Sequence, residues 1–131
     1  MQTIIELNSC LESISKVEKF IDEISSKVNI SSEIYGKILI ATIEAVNNAI
    51  VHGNKLNAAK IVRVKVEIIE NLFRVIVEDQ GSGFDYTNIP DPTTPQNIEN
   101  ISGRGVFLMR KLSDEIQFSN NGSLVELIFY L

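Results

Sequence analysis

At 131 residues the chain fits one domain, long enough to bury roughly two-thirds of the surface its unfolded form exposes. Its 44% hydrophobic and 22% charged residues are ordinary for a globular protein and exclude a disordered one. A formal net charge of -5 weighs against direct nucleic-acid binding, which depends on clustered Lys and Arg, and leaves a protein or a small molecule as the partner.

Thr3 to Leu7 reads as a short strand, with no secretory leader pattern at the start. Asn8 or Ser9 is placed to cap a helix running to about Val28, because Leu11, Ile14, Val17, Phe20, Ile21 and Ile24 recur at helical spacing. The single cysteine, Cys10, excludes an internal disulfide and suits a reducing, cytoplasmic setting. Ser31 or Ser32, with Glu33 close behind, opens a second helix expected to end at Gly53, a residue suited to a left-handed turn past a helix end. Within it Ile38 to Val51 is apolar, but Thr42, Glu44, Asn47 and Asn48 interrupt the run, so it falls short of a membrane span.

Ile61 to Ile69 and Leu72 to Asp79 alternate as two strands joined by a turn at Glu70 and Asn71. The segment from Gln80 to Ser102 holds all three prolines and reads as a lid rather than an idle loop, since glycine motifs flank it on both sides. A helix from about Gly105 to Ser113 follows, then a strand near Ile116 to Ser119, a turn at Asn120, Asn121 and Gly122, and a last strand from Leu124 to Leu131. This order predicts an α+β fold, a two-layer sandwich with a mixed, mostly antiparallel sheet covered on one face by helices. The expected organisation is a single domain over residues 1–131 with a lid over 80–102.

Three clusters carry candidate chemistry. Glu44 and Asn48 lie four residues apart on a nearly all-apolar helix and so share one face. Burying a carboxylate without a partner costs several kcal/mol, so the pair either hydrogen-bonds within the core or borders a ligand or cation. An amide oxygen such as that of Asn48 suits magnesium, and Glu44 could accept a proton from an attacking hydroxyl. His52, a turn further on, reads as a group that satisfies the helix end. Asp79 continues the inward row Phe73, Val75, Val77 at a strand end and is followed by Gly81 and Gly83. Glycines there let backbone approach a flat ligand, and a buried carboxylate can accept from an exocyclic amine; a glycine-rich turn capped by Asp79 is the alternative. Gly103, Arg104 and Gly105 run into a helix, where free amides suit phosphates and Arg104 can add charge-assisted contacts; an ordinary flexible helix start is the alternative.

Taken together, Glu44-Ala45-Val46-Asn47-Asn48-Ala49-Ile50-Val51-His52-Gly53-Asn54, Glu78-Asp79-Gln80-Gly81-Ser82-Gly83-Phe84 and Gly103-Arg104-Gly105-Val106-Phe107-Leu108-Met109 resemble, in order and spacing, the N box and two glycine boxes of the GHKL ATPases. Within that superfamily the chain looks most like the anti-sigma-factor serine kinases, and the resemblance covers nearly its whole length. It implies an ATP-dependent protein serine/threonine kinase in which Asn48 holds magnesium and Glu44 is the base. By the same resemblance Asp79 bonds the adenine amine, Gly81 and Gly83 give the base room, and Gly103 and Gly105 line the phosphates. Ser123 would support the adenine pocket. Relatives with a lid arginine differ from this chain, which reads Glu99-Asn100-Ile101-Ser102, and Arg104 stands as the substitute. The resemblance also implies a homodimer that binds a sigma factor and phosphorylates an anti-anti-sigma antagonist. The competing expectation is a nucleotide-binding interaction module without kinase activity.

Overall fold

Strict alternation along Val62, Val64, Val66 and along Phe73, Val75, Val77 demands a sheet with one buried face. The computed structural model, which describes residues 1–82 and 104–131 in full and residues 101–103 as backbone, has that sheet. In chain order the elements are β1 (Gln2–Asn8), α1 (Ser13–Ser25), α2 (Ser32–Asn48) with a π-helical turn at its end (Ala49–Gly53), β2 (Ile61–Ile69), β3 (Leu72–Glu78), α3 (Ile101–Leu112), β4 (Glu115–Ser119) and β5 (Leu124–Tyr130). The strand order is β1-β2-β3-β5-β4. The sheet, expected to be mostly antiparallel, is antiparallel at all four pairings. Gly83 and the lid between its ends lie outside the described residues.

Register explains the core. Ile5, Val64, Val77, Val125 and Phe118 stand opposite one another across all five strands, forming one apolar row under the helices. Phe73 and Phe129 make a second contact on the same face, both almost wholly buried. Each fully buried aliphatic or aromatic side chain contributes about 1.5–3 kcal/mol. The opposite face carries charge: Arg74 pairs with Glu126 at 2.7 Å and with Glu67 at 3.2 Å, and Lys65 pairs with Glu67 at 2.9 Å. One face is therefore greasy and helix-covered, the other ionic.

Helix α1 begins later than its periodicity suggested, and neither expected cap precedes it. Asn8 O accepts from Cys10 N and Ser13 Oγ, and Ser9 Oγ donates to Lys60 O. The residue actually preceding α1, Glu12, makes no side-chain cap bond. Ser31 does cap α2, its Oγ accepting from Ile34 N at 3.3 Å. Helix α2 and its π turn make a continuous run of 22 residues, long and apolar enough by composition alone to cross a bilayer. Here it lies across the core, touching α1, α3, β3 and β5.

Gly36 sits inside α2 at a place where an added Cβ meets nothing within 4 Å. A glycine in a helix interior is less favourable than alanine by about 0.8–1.0 kcal/mol, so Gly36→Ala is expected to stabilise the protein by about that amount in urea unfolding. A loss of stability would show that the site is more crowded than the packing indicates.

Candidate functional site

The polar groups of the candidate site come from three elements that the apolar row draws together. Asn48 closes α2 and is 7% exposed, yet its Nδ2 has no hydrogen-bond partner among the described residues. Leaving a buried donor unpaired costs about 1–3 kcal/mol, which marks the group as one that a ligand would satisfy. Glu44, one turn earlier, is half-buried on the same side. Both face α3: a Cβ added to Gly105 would stand 3.1 Å from Glu44 Oε2 and 3.2 Å from Asn48 Oδ1. The missing side chain at Gly105 leaves a cradle above the carboxylate and the amide. Asn48 also lines a small, mainly apolar cavity with Ala45, Ala49, Val77, Met109 and Val125.

Burial pushes the Glu44 carboxyl above its ordinary range, and the charge of Arg104 partly opposes this. Arg104 extends an exposed side chain from the first turn of α3. The helix was expected from about Gly105, but α3 already includes Ile101, so Gly103 and Gly105 both lie inside it. Gly105 contributes by its absent side chain, which leaves the space beside Glu44 and Asn48 open.

The π turn matters to the second half of the site. Its wider closure, with Asn54 N donating to Ala49 O at 2.8 Å, carries Gly53 beneath the end of β3. The expected left-handed turn at Gly53 is corrected: the left-handed residues here are Lys55 and Leu56, with φ of 54° and 60°. Glycine is needed at 53 for space, because a Cβ there would land on the Asp79 carboxylate. Gly81 is interlocked in the same way, since its Cβ would strike Gly53 O and stand 3.1 Å from Asp79 Oδ1. Gly81 therefore makes room for the protein's own backbone.

Asp79 extends the inward row of β3 as the alternation required, and it is 8% exposed. Its Oδ1 accepts from Gly81 N at 2.8 Å. Burial pushes its carboxyl up; the Gly81 amide and Lys60 pull down, and Glu78 adds to the rise. Ser123 lies beside it just before β5, where Asp79 N donates to Ser123 O at 2.9 Å, while the Ser123 hydroxyl is bonded to Asn120 O.

Asn54 is the residue to which the sequence reading gave no role. It is 1% exposed, and its side chain bonds Ser9, Ile61 and Gln80. Its only signal in the sequence was its place in the His52-Gly53-Asn54 ending of the first motif.

Sequence comparison finds similarity to the serine-protein kinase RsbW of Staphylococcus epidermidis, 28% identical over 135 residues, covering 97% of this chain and 85% of the relative. The serine-protein kinase RsbW of a bovine Staphylococcus aureus strain is 31% identical over 100 residues, covering 70% of this chain and 63% of the relative. Among solved structures, the RsbU and RsbW domains of Rv1364c from Mycobacterium tuberculosis match with a TM-score of 0.66 at 15% identity. That match is one of fold, and it covers all of this chain but 32% of the longer one. The sequence pattern of the histidine kinase-like ATPase domain spans residues 7–129, and on that match over nearly its whole length the chain belongs to the histidine kinase-like ATPase domain family.

Proposed function

We propose that the chain is an ATP-dependent protein serine/threonine kinase of the anti-sigma type, cytoplasmic and dimeric, which binds a sigma factor and phosphorylates an anti-anti-sigma antagonist. The observation that carries this reading is the meeting of Glu44 and the unpartnered Asn48 amide under Gly105, one π turn from the Asp79 carboxylate. The names of the staphylococcal relatives, both serine-protein kinases, support the reaction class.

In this reading Asp79 receives the adenine amine, with Ser123 and the apolar lining around Val77 beside the ring. The amide of Gly103 and the guanidinium of Arg104 face the phosphates, and Gly83 and the lid complete the enclosure. Asn48 fits a magnesium ion through its Oδ1, which faces the cradle at Gly105, while the unpartnered Nδ2 suits a phosphate oxygen as acceptor. Bound magnesium would neutralise phosphate charge. Glu44, raised in pKa by burial, accepts the proton of the acceptor hydroxyl as it attacks the terminal phosphorus, while the bond from that phosphorus to the β-phosphate oxygen breaks and ADP leaves.

The test is Asp79→Asn. Mg-ATP affinity is expected to fall by about 1–3 kcal/mol, because a buried acceptor facing a donor is replaced by an amide that matches it poorly. Calorimetric titration showing equal affinity removes Asp79 from the pocket. The same variant has a signature in stability. The folded protein holds the Asp79 proton to higher pH than the unfolded chain, so the ligand-free protein loses stability as pH rises from about 4 through the raised pKa. Asp79→Asn should remove that share of the decline, with Glu44 supplying the remainder. Unfolding curves of equal pH slope for the two proteins would show that the Asp79 carboxyl is not raised.

A further inference from the structure

We infer that Asn54 is a positioning residue of the nucleotide site, which holds the Asp79–Gly81 turn in place by clamping the Gln80 amide to the end of the π turn. The inference rests on the proposed function, since it takes Asp79 as the group that reads the adenine amine.

Three bonds define the clamp. Asn54 Oδ1 accepts from Gln80 N at 2.7 Å, while Nδ2 donates to Ser9 Oγ at 2.8 Å and to Ile61 O at 3.1 Å. The orientation of the amide is forced, because an N–H can only donate and a carbonyl can only accept. Ser9 in turn donates to Lys60 O, and Gln80 Oε1 accepts from Ile61 N at 2.7 Å. One buried side chain thus ties together the end of β1, the start of β2 and the first residue after Asp79.

The placement has a purpose. Strand β3 ends at Glu78, so the ladder does not hold the residues beyond Asp79, whose own amide bonds Ser123 O. The Gln80 amide is fixed by Asn54 alone among the bonds described, and the Gly81 amide then reaches back to Asp79 Oδ1. Gly81 also packs on Gly53 O, the residue next to Asn54. Releasing Gln80 frees the turn that sets the carboxylate's direction.

Calorimetry with Mg-ATP and Mg-ITP reads this directly, because inosine lacks the exocyclic amine that Asp79 would bind. Wild type should prefer ATP, and in Asn54→Ala that preference should shrink by roughly 10-fold, the effect of one misdirected hydrogen bond to a charged group. Ser9→Ala loosens the same junction but leaves Oδ1 on Gln80, so it should lower stability and keep the preference. Asn54→Asp keeps an oxygen for the Gln80 amide and loses the donors, and it should keep the preference too. Should Asn54→Ala fail to fold, the Gln80 amide of wild type remains informative. It should resist hydrogen exchange like a strand amide, and exchange at the rate of an open loop overturns the clamp. The inference is also overturned if Asn54→Ala keeps the full preference for ATP, or if Ser9→Ala or Asn54→Asp loses it equally. A wild type that binds no Mg-ATP defeats the proposed function itself, whereas an ATP-selective wild type with an equally selective Asn54→Ala defeats only the clamp.

Discussion

Replacing Glu44 with Gln is expected to leave Mg-ATP affinity within a few-fold of wild type and to cut phosphoryl transfer to a protein acceptor by about 100- to 10,000-fold, the range of a lost general base. The separation follows from position. Glu44 lies with Asn48 against Gly105, whereas Asp79 lies against Gly53 and Gly81 at the far end of the π turn. A base needs a pKa near the working pH, and burial moves Glu44 in that direction against the pull of Arg104. Wild-type transfer should therefore climb with pH through the raised pKa of Glu44, while the residual rate of the variant lacks that step. Single-turnover phosphorylation with calorimetric ATP titration measures both halves. Transfer that survives in Glu44→Gln would falsify the base assignment, and a matching loss of ATP affinity would make Glu44 a binding group instead.

How much of this was legible in the sequence depends on what each residue had to reveal. Alternation placed Asp79 on the inner face correctly, since period two leaves no freedom once Val75 and Val77 are buried. The four-residue spacing of Glu44 and Asn48 likewise settled their shared face. Caps were harder. Ser31 bonds its own helix, but Ser9 bonds Lys60 O, a long-range partner that no local pattern reveals. The helix was expected from about Gly105 because the glycines read as its opening, although a helix tolerates glycine at a cost of about 1 kcal/mol each and α3 already includes Ile101. Asn54 was invisible as a functional residue for the same reason as Ser9: its partners sit 7, 26 and 45 positions away. The π turn had no sequence signal either, and it determines where Gly53 meets Asp79.

Gly53→Ala should destabilise the protein by about 1–3 kcal/mol, the usual cost of forcing an extra methyl into a filled site, and should lower ATP affinity about as much as removing Asp79 does. The two possible reasons for glycine at 53 predict opposite outcomes in a second background. If glycine were there for a left-handed turn, alanine would remain strained whatever stood at 79. The backbone at Gly53 is not left-handed, however, and the obstacle is the Asp79 carboxylate, whose two oxygens and carbon all crowd the added Cβ. With Asp79→Ala already in place that obstacle is gone, and alanine in a helical turn is favoured over glycine by about 0.8–1.0 kcal/mol. Gly53→Ala should then change sign, from destabilising in the wild-type background to neutral or stabilising beside Asp79→Ala. Urea unfolding of the four proteins closes the cycle, and the expected coupling exceeds the few tenths of a kcal/mol seen between independent sites. Additive costs would mean that Gly53 and Asp79 do not touch, and the proposed pocket would lose the contact that joins its two halves.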